Sequence, residues 1–166
     1  MIQSHTFNAL KWITDILNTH KARYRISGGF AAYLHGANRE LADIDIDLIR
    51  WEFETIVSAI PSHYFVYGPA RYKDEHWDCW LATLEYEGQK IDLMSVTDAK
   101  IFDAINNVWV LYGLLATEPW GTWSVEGLHD RILCRAIAKE DLIKYKNILR
   151  REVDLQDLKE LKWILE

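Results

Sequence analysis

Apolar residues recur along the chain in two rhythms. Phe7, Leu10, Ile13, Ile16 and Leu17 stand close to helical spacing, so residues 6–20 are predicted to form a helix that Ser4 or Thr6 would cap. Residues 24–27 read as a short extended piece running into Gly28 and Gly29. Residues 30–35 read as a short helix stopped by Gly36. The segment 43–49 alternates strictly between aspartate and aliphatic residues, which is the period of a strand. Residues 52–60 are predicted helical up to Pro61. Strands are expected at 64–67 and 77–86, and Glu87 and Gly88 make a hairpin turn into a further strand at 89–95. Residues 97–106 are predicted to be a helix capped by Thr97. Between 108 and 137 the pattern is broken by Gly113, Pro119, Gly121 and Gly127, and 131–136 is the segment that reads as a strand. Two helices, 139–150 and 154–165, follow it. This order predicts one mixed sheet flanked by helices, an α/β or α+β domain with helices at its C-terminal end.

The chain has 166 residues, which suits a single domain with a core over about 1–137 and a helical segment over about 138–166. Hydrophobic residues make up 49% of it, enough for a sizeable core. Eight Trp and eight Tyr are more rings than a small domain can enclose. Some must sit at a surface, either scattered or lining a cleft for a flat or sugar-like ligand, with Trp109, Tyr112, Trp120 and Trp123 as candidates. The net charge of −6 comes without a Lys/Arg run, which disfavours nucleic acid as a partner. An acidic surface suits a cationic or neutral small substrate, or a basic protein partner. Cys79 and Cys134 stand far apart without metal-ligand spacing and read as reduced thiols. The first twenty residues do not resemble a leader, and no apolar run is long enough to cross a membrane, so the cytoplasm is the expected compartment.

The strongest chemical signal is Asp43-Ile44-Asp45-Ile46-Asp47. Alternate side chains of a strand share a face, so the three aspartates point one way and Ile44, Ile46 and Leu48 the other. Like charges in a row repel, and aspartate is a poor strand former. A cation or water must relieve that arrangement; a solvated acidic edge strand is the plain alternative. The Gly and distal Glu of a calcium-binding EF-hand loop are absent. Upstream, Ser27, Gly28 and Gly29 sit between a strand and a helix, and thirteen residues separate Gly29 from Asp43. Paired glycines can bring backbone N–H groups close to phosphate oxygens, although many such pairs are simply turns. The Gly-Lys-Ser/Thr ending of a P-loop is missing. Together the two elements offer donors for a triphosphate and carboxylates for a metal bridging its phosphates.

The run Ser27-Gly28-Gly29, a helix, then Arg39-Glu40-Leu41-Ala42-Asp43-Ile44-Asp45 resembles the signature of the polymerase-beta-like nucleotidyltransferases, in the style of the small bacterial minimal, aminoglycoside and lincosamide enzymes. The resemblance covers residues 24–50, 80–95 and 138–160. It implies a nucleotidyltransferase-like mixed sheet with C-terminal helices. It also implies transfer of a nucleotidyl group from an NTP, expected to be ATP, to an acceptor hydroxyl with release of pyrophosphate. Asp43 and Asp45 match the paired aspartates, and Asp92, in Lys90-Ile91-Asp92-Leu93-Met94, matches the third carboxylate on a neighbouring strand. These three would be the catalytic residues and would hold Mg2+ or Mn2+. Ser27, Gly28 and Gly29 would bind the β- and γ-phosphates, and Arg39 and Lys146 would neutralise phosphate charge. Leu41 departs from the Ser or Thr often found there, and Asp47 is an extra carboxylate without an assigned role.

The acceptor stays open between a small hydroxylated molecule, such as an antibiotic, and a protein partner, as in toxin–antitoxin members of the superfamily. A non-catalytic nucleotide-binding module is the third option. Residues 100–135, which match no pattern, are a candidate acceptor pocket. His76, Asp78 and Cys79 lie close in sequence but lack a fourth zinc ligand. Cys79 or Cys134 with a His would make a nucleophilic pair, without a motif to support it. His35 ends a predicted helix near the glycine turn.

Overall fold

Strand β2 (Asp43–Leu48) lies inside an eight-stranded sheet, antiparallel to β1 (Tyr24–Ser27) on one side and parallel to β5 (Gln89–Asp103) on the other. The structure, a computed structural model, describes residues 2–38, 40–113 and 121–162. Beyond β5 the sheet continues through β4 (Trp77–Tyr86) to β3 (Phe65–Lys73), both antiparallel to their neighbours. Beyond β1 it continues through β8 (Arg131–Ala136), parallel to β1, to the edge strand β7 (Gly121–Glu126). The far end of β5 also pairs with β6 (Val108–Leu111).

Helices α1 (Ser4–Thr19) and α3 (Arg50–Ala59) contact β5 and each other. Their apolar faces, with Leu10, Ile13, Leu17, Phe53 and Ile56 fully buried, join Ile26, Ile44, Ile46, Ile91 and Leu93 of the sheet in one core. The other face of β2 and β5 carries Asp43, Asp45, Asp47 and Asp92, with Met94 beside Asp47. Helix α2 (Gly28–Leu34) follows β1 without a loop, and Gly36, at φ +103°, takes the left-handed position just past its end. Helices α4 (Lys139–Leu149) and α5 (Glu152–Lys162) form a helical hairpin, turned at Arg150 with φ +52°, that packs against α2.

The alternating segment, the strand at 131–136 and the paired terminal helices stand where the pattern predicts them; the predicted extension of α5 to 165 lies outside the described residues. Glu87 and Gly88 both have positive φ, +49° and +79°, as a tight two-residue hairpin requires. One element is corrected. Residues 97–106 do not form a helix: β5 runs on to Asp103. Ala99, Ile101 and Asp103 are buried while Thr97, Asp98 and Lys100 are exposed, and Ile101 is paired with both Trp77 and Val110. Cross-strand pairing on both sides overrides a local pattern that also suits a helix. Thr97 caps a different helix: its hydroxyl accepts the Arg50 N–H, 3.0 Å away, at the start of α3. Neither Ser4 nor Thr6 caps α1; the cap position is Gln3, and the Thr6 hydroxyl donates instead to Gln89 Oε1 at 2.7 Å.

Candidate active site

The strand register lays out the site. One row of residues crosses four strands: Ser27 on β1 is level with Asp45 on β2, Asp45 with Asp92 on β5, and Asp92 with Thr83 on β4. Asp43, two residues before Asp45, shares its face. One oxygen from each of Asp43, Asp45 and Asp92 lies within 4.8 Å of the others. Among the described residues, this is the cluster of acidic, His or Cys side chains able to share one ion. The Thr83 hydroxyl donates to Asp92 Oδ1 at 2.5 Å and orients that carboxylate. Thr83 was missed in the sequence, yet the two-residue turn at 87–88 fixes the register that sets it opposite Asp92.

The glycine turn is pressed onto this cluster. Gly28 has φ +60°, and a Cβ built on it would lie 1.7 Å from Asp45 Oδ2. Only a residue without a side chain lets the backbone and that carboxylate come so close. Two donors of the turn already have internal partners: Gly28 N–H donates to the Tyr145 hydroxyl at 2.8 Å, and the Ser27 hydroxyl donates to Asp47 Oδ1 at 2.9 Å.

Asp47 proves to be structural. It is 3% exposed and accepts from Arg25 Nε at 2.8 Å, from Ser27 and from the Tyr112 hydroxyl at 2.7 Å. Three donors, one of them cationic, satisfy a carboxylate that burial alone would make costly. Arg25 is held protonated: burial opposes its charge, but Asp47 and Tyr112 raise its pKa above the ordinary value.

Asp45 has no such relief. Burial, followed by the charges of Asp43, Asp92 and Asp47, pushes its carboxyl well above the usual range, with Lys146 opposing. Asp92 is also raised, by burial first and by Asp43, against the Thr83 hydrogen bond and Lys90. Oxygen-only ligands with clustered negative charge suit a hard divalent cation such as magnesium or manganese, which would remove that repulsion.

These residues line a cavity of about 330 Å³. Ser27, Gly28, Gly29, Asp43, Asp45, Asp92 and Lys146 all reach it, so the structure brings together every sequence-predicted site residue it describes. Arg39 lies outside the described residues. Lys146 is 1% exposed, with Nζ 3.2 Å from Asp154 Oδ1 and 2.8 Å from Asp157 Oδ2. The lining also includes Tyr72, Asp74, Trp77, Tyr145 and Arg151, to which the sequence assigned no role in the site. Asp74 closes the β3–β4 hairpin, accepting from the backbone of His76 and Trp77 and from the Tyr72 hydroxyl; these bonds outweigh burial and hold its pKa below the ordinary value.

The described residues of 100–135 do not line the cavity. Tyr112 serves Asp47, Trp109 packs on Phe102 and Trp123 meets the edge of His35; Trp120 lies outside the described residues. His35 is a helix-end residue, its Nε2 2.8 Å from the Ile137 carbonyl. His76, Asp78 and Cys79 form no ligand set: Asp78 is paired with Arg71 and Lys73, and burial pushes the Cys79 thiol up to about 12. Cys134 is likewise a buried free thiol, raised by burial to about 11. No helix among the described residues is long and apolar enough to cross a membrane.

No family model and no curated protein matches the sequence. Solved structures match the fold. A Thermotoga maritima protein described as a candidate nucleotidyltransferase is 21% identical with a TM-score of 0.64, covering 99% of this chain and 96% of its own. The lincosamide antibiotic adenylyltransferase LnuA, solved with lincomycin bound, is 17% identical with a TM-score of 0.56, covering 93% and 95%. ANT(2")-Ia, solved with adenylyl-2"-tobramycin, is 15% identical with a TM-score of 0.52, covering 96% and 88%. The chain has the fold of the nucleotidyltransferases, an α+β mixed sheet with helices at its C-terminal end.

Proposed function

We propose that this chain transfers a nucleotidyl group from a nucleoside triphosphate, ATP being the expected donor, to a hydroxyl of a small acceptor, releasing pyrophosphate. The observation that carries the reading is the convergence of Asp43, Asp45 and Asp92 within 4.8 Å of one another, beneath a glycine whose missing side chain makes room for one of them. The acceptor oxygen bonds to the α-phosphorus as the bond to the bridging oxygen breaks. The acceptor proton passes to Asp92, which Thr83 holds in place. Asp43, Asp45 and Asp92 would hold magnesium or manganese, which supplies charge neutralisation across the phosphates. The Ser27-Gly28-Gly29 turn receives the β- and γ-phosphates, with Gly28 exchanging its Tyr145 partner for a phosphate oxygen. Arg39 is the expected source of positive charge at the phosphates, while Lys146 lies at the cavity wall against Asp154 and Asp157. Catalysis is then mainly positioning and electrostatics.

A small acceptor is favoured by the solved neighbours, one holding lincomycin and another an adenylylated tobramycin. An antibiotic-like acceptor therefore belongs in the first panel tested. The experiment is pyrophosphate release with each NTP, magnesium and a panel of hydroxylated small molecules. Turnover should require a divalent cation and vanish in Asp45→Asn. Equal turnover in that variant, or pyrophosphate formed in the presence of a chelator, would sink the reading.

A further inference from the structure

Among the described residues, Lys146 and Arg151 are the two cationic side chains that line the cavity, and they are built differently. The Lys146 side chain is 2% exposed, and its ammonium lies against two carboxylates, Asp154 and Asp157. Its charge is offset twice from within. The Arg151 side chain is 31% exposed and is paired, among the described residues, with the Asp154 carboxylate. It uses Nε at 2.7 Å and Nη2 at 3.1 Å for that partner. A guanidinium carries five N–H groups in a planar fork, so donors remain for a second anion. Asp154 also accepts the Arg151 backbone N–H at 3.1 Å, clasping the residue by both ends, and the Trp77 ring lies 5.9 Å from its Cζ. The guanidinium is thus set in place before any ligand arrives.

We propose that Arg151 makes the direct contact with the triphosphate of the nucleotide, and that Asp154 is its positioning residue. Lys146 stays behind as the internal counter-ion that keeps Asp154 in place. This inference rests on the nucleotidyl-transfer reading and gives a role to a residue just before α5 that the resemblance left without one. A bidentate Arg pair with phosphate is stronger and more directional than a lysine point charge. Both ends of the donor would then be gripped: the metal-binding carboxylates on the sheet, the guanidinium on the helical hairpin.

The test uses the full chain and inorganic tripolyphosphate with magnesium, a probe that needs neither a base nor an acceptor. Arg151→Ala should weaken its binding roughly ten- to hundredfold. Arg151→Lys should recover only part of that loss. Asp154→Asn should also weaken binding and raise KM for the NTP more than it lowers kcat, a split that general destabilisation would not produce. If Asp154→Asn fails to fold, the partly exposed Arg151 variants still decide the matter, with circular dichroism confirming their fold. Wild-type affinity in Arg151→Ala overturns the inference, as does affinity lost in a folded Lys146→Met but kept in Arg151→Ala. The two readings fail separately. Tripolyphosphate bound through Arg151 with no transfer to any acceptor sinks the functional reading; transfer that is indifferent to Arg151 sinks only this one.

Discussion

Two clusters of aspartates lie within the field of Lys146 and behave in opposite ways. On the sheet, Asp45 meets chiefly other carboxylates and is raised well above the ordinary range by burial and by Asp43, Asp92 and Asp47. On α5, Asp154 is fully buried, but Arg151 and Lys146 overcome the cost of burial and hold its carboxyl below the ordinary value. The same residue type thus serves two ends. Where cations are supplied from within, the cluster fastens helix to helix. Where they are withheld, it keeps a demand that only a ligand from outside can meet. Asp47 shows how local the distinction is: two residues from Asp45 on the same face, it is closed off by Arg25, Ser27 and Tyr112.

The largest effect that would break this contrast is on turnover. Asp45→Asn should cost roughly a thousandfold or more in nucleotidyl transfer, while the melting temperature without metal does not fall, because a repelled and desolvated charge has been removed. A drop in that melting temperature would mean Asp45 is a structural residue like Asp47. Next comes Lys146→Met, which removes a cation from the α5 cluster; urea denaturation should show a loss of about 3–5 kcal/mol. Tyr112→Phe takes one of three donors from Asp47 and should cost about 2 kcal/mol by the same assay.

The smallest effect is in the pH dependence of stability without metal. Asp45 and Asp92 bind protons more tightly folded than unfolded. Each therefore lowers stability as pH climbs from the unfolded value of about 3.8 through its raised folded value, and the full penalty remains above that. Asp154 works the other way: its contribution is present above about 3.8 and is lost as pH falls through its depressed folded value. Comparing Asp45→Asn with wild type isolates the first trend, whose slope is at most about 1.4 kcal/mol per pH unit for one proton. Magnesium should flatten it. A wild-type curve parallel to that of the variant would contradict the raised carboxyl.

Much of the site could be read in the sequence because its signals are local. Asp43 and Asp45 are on one face by the period of a strand, and the glycine pair precedes them by one helix. Asp92 follows from a short hairpin turn whose register also places Thr83. The pairing of Asp154 with Arg151 is three residues long and equally readable. What stayed hidden depends on distance along the chain. The partners of Asp47 come from positions 25, 27 and 112, and no pattern around 47 announces them. Tyr145 reaches Gly28 from 117 residues away. The run 97–106 misled because its apolar spacing fits a helix nearly as well as a strand, and two flanking strands decided the matter.

Gly28 carries a consequence for how such a chain can drift. Its lack of a side chain answers to two demands at once, the left-handed backbone at φ +60° and the Asp45 side chain pressed against it. A larger residue at 28 therefore meets two obstacles, and shrinking 45 removes only one of them. Relaxation of both together would mark a descendant that keeps the architecture and has abandoned the chemistry.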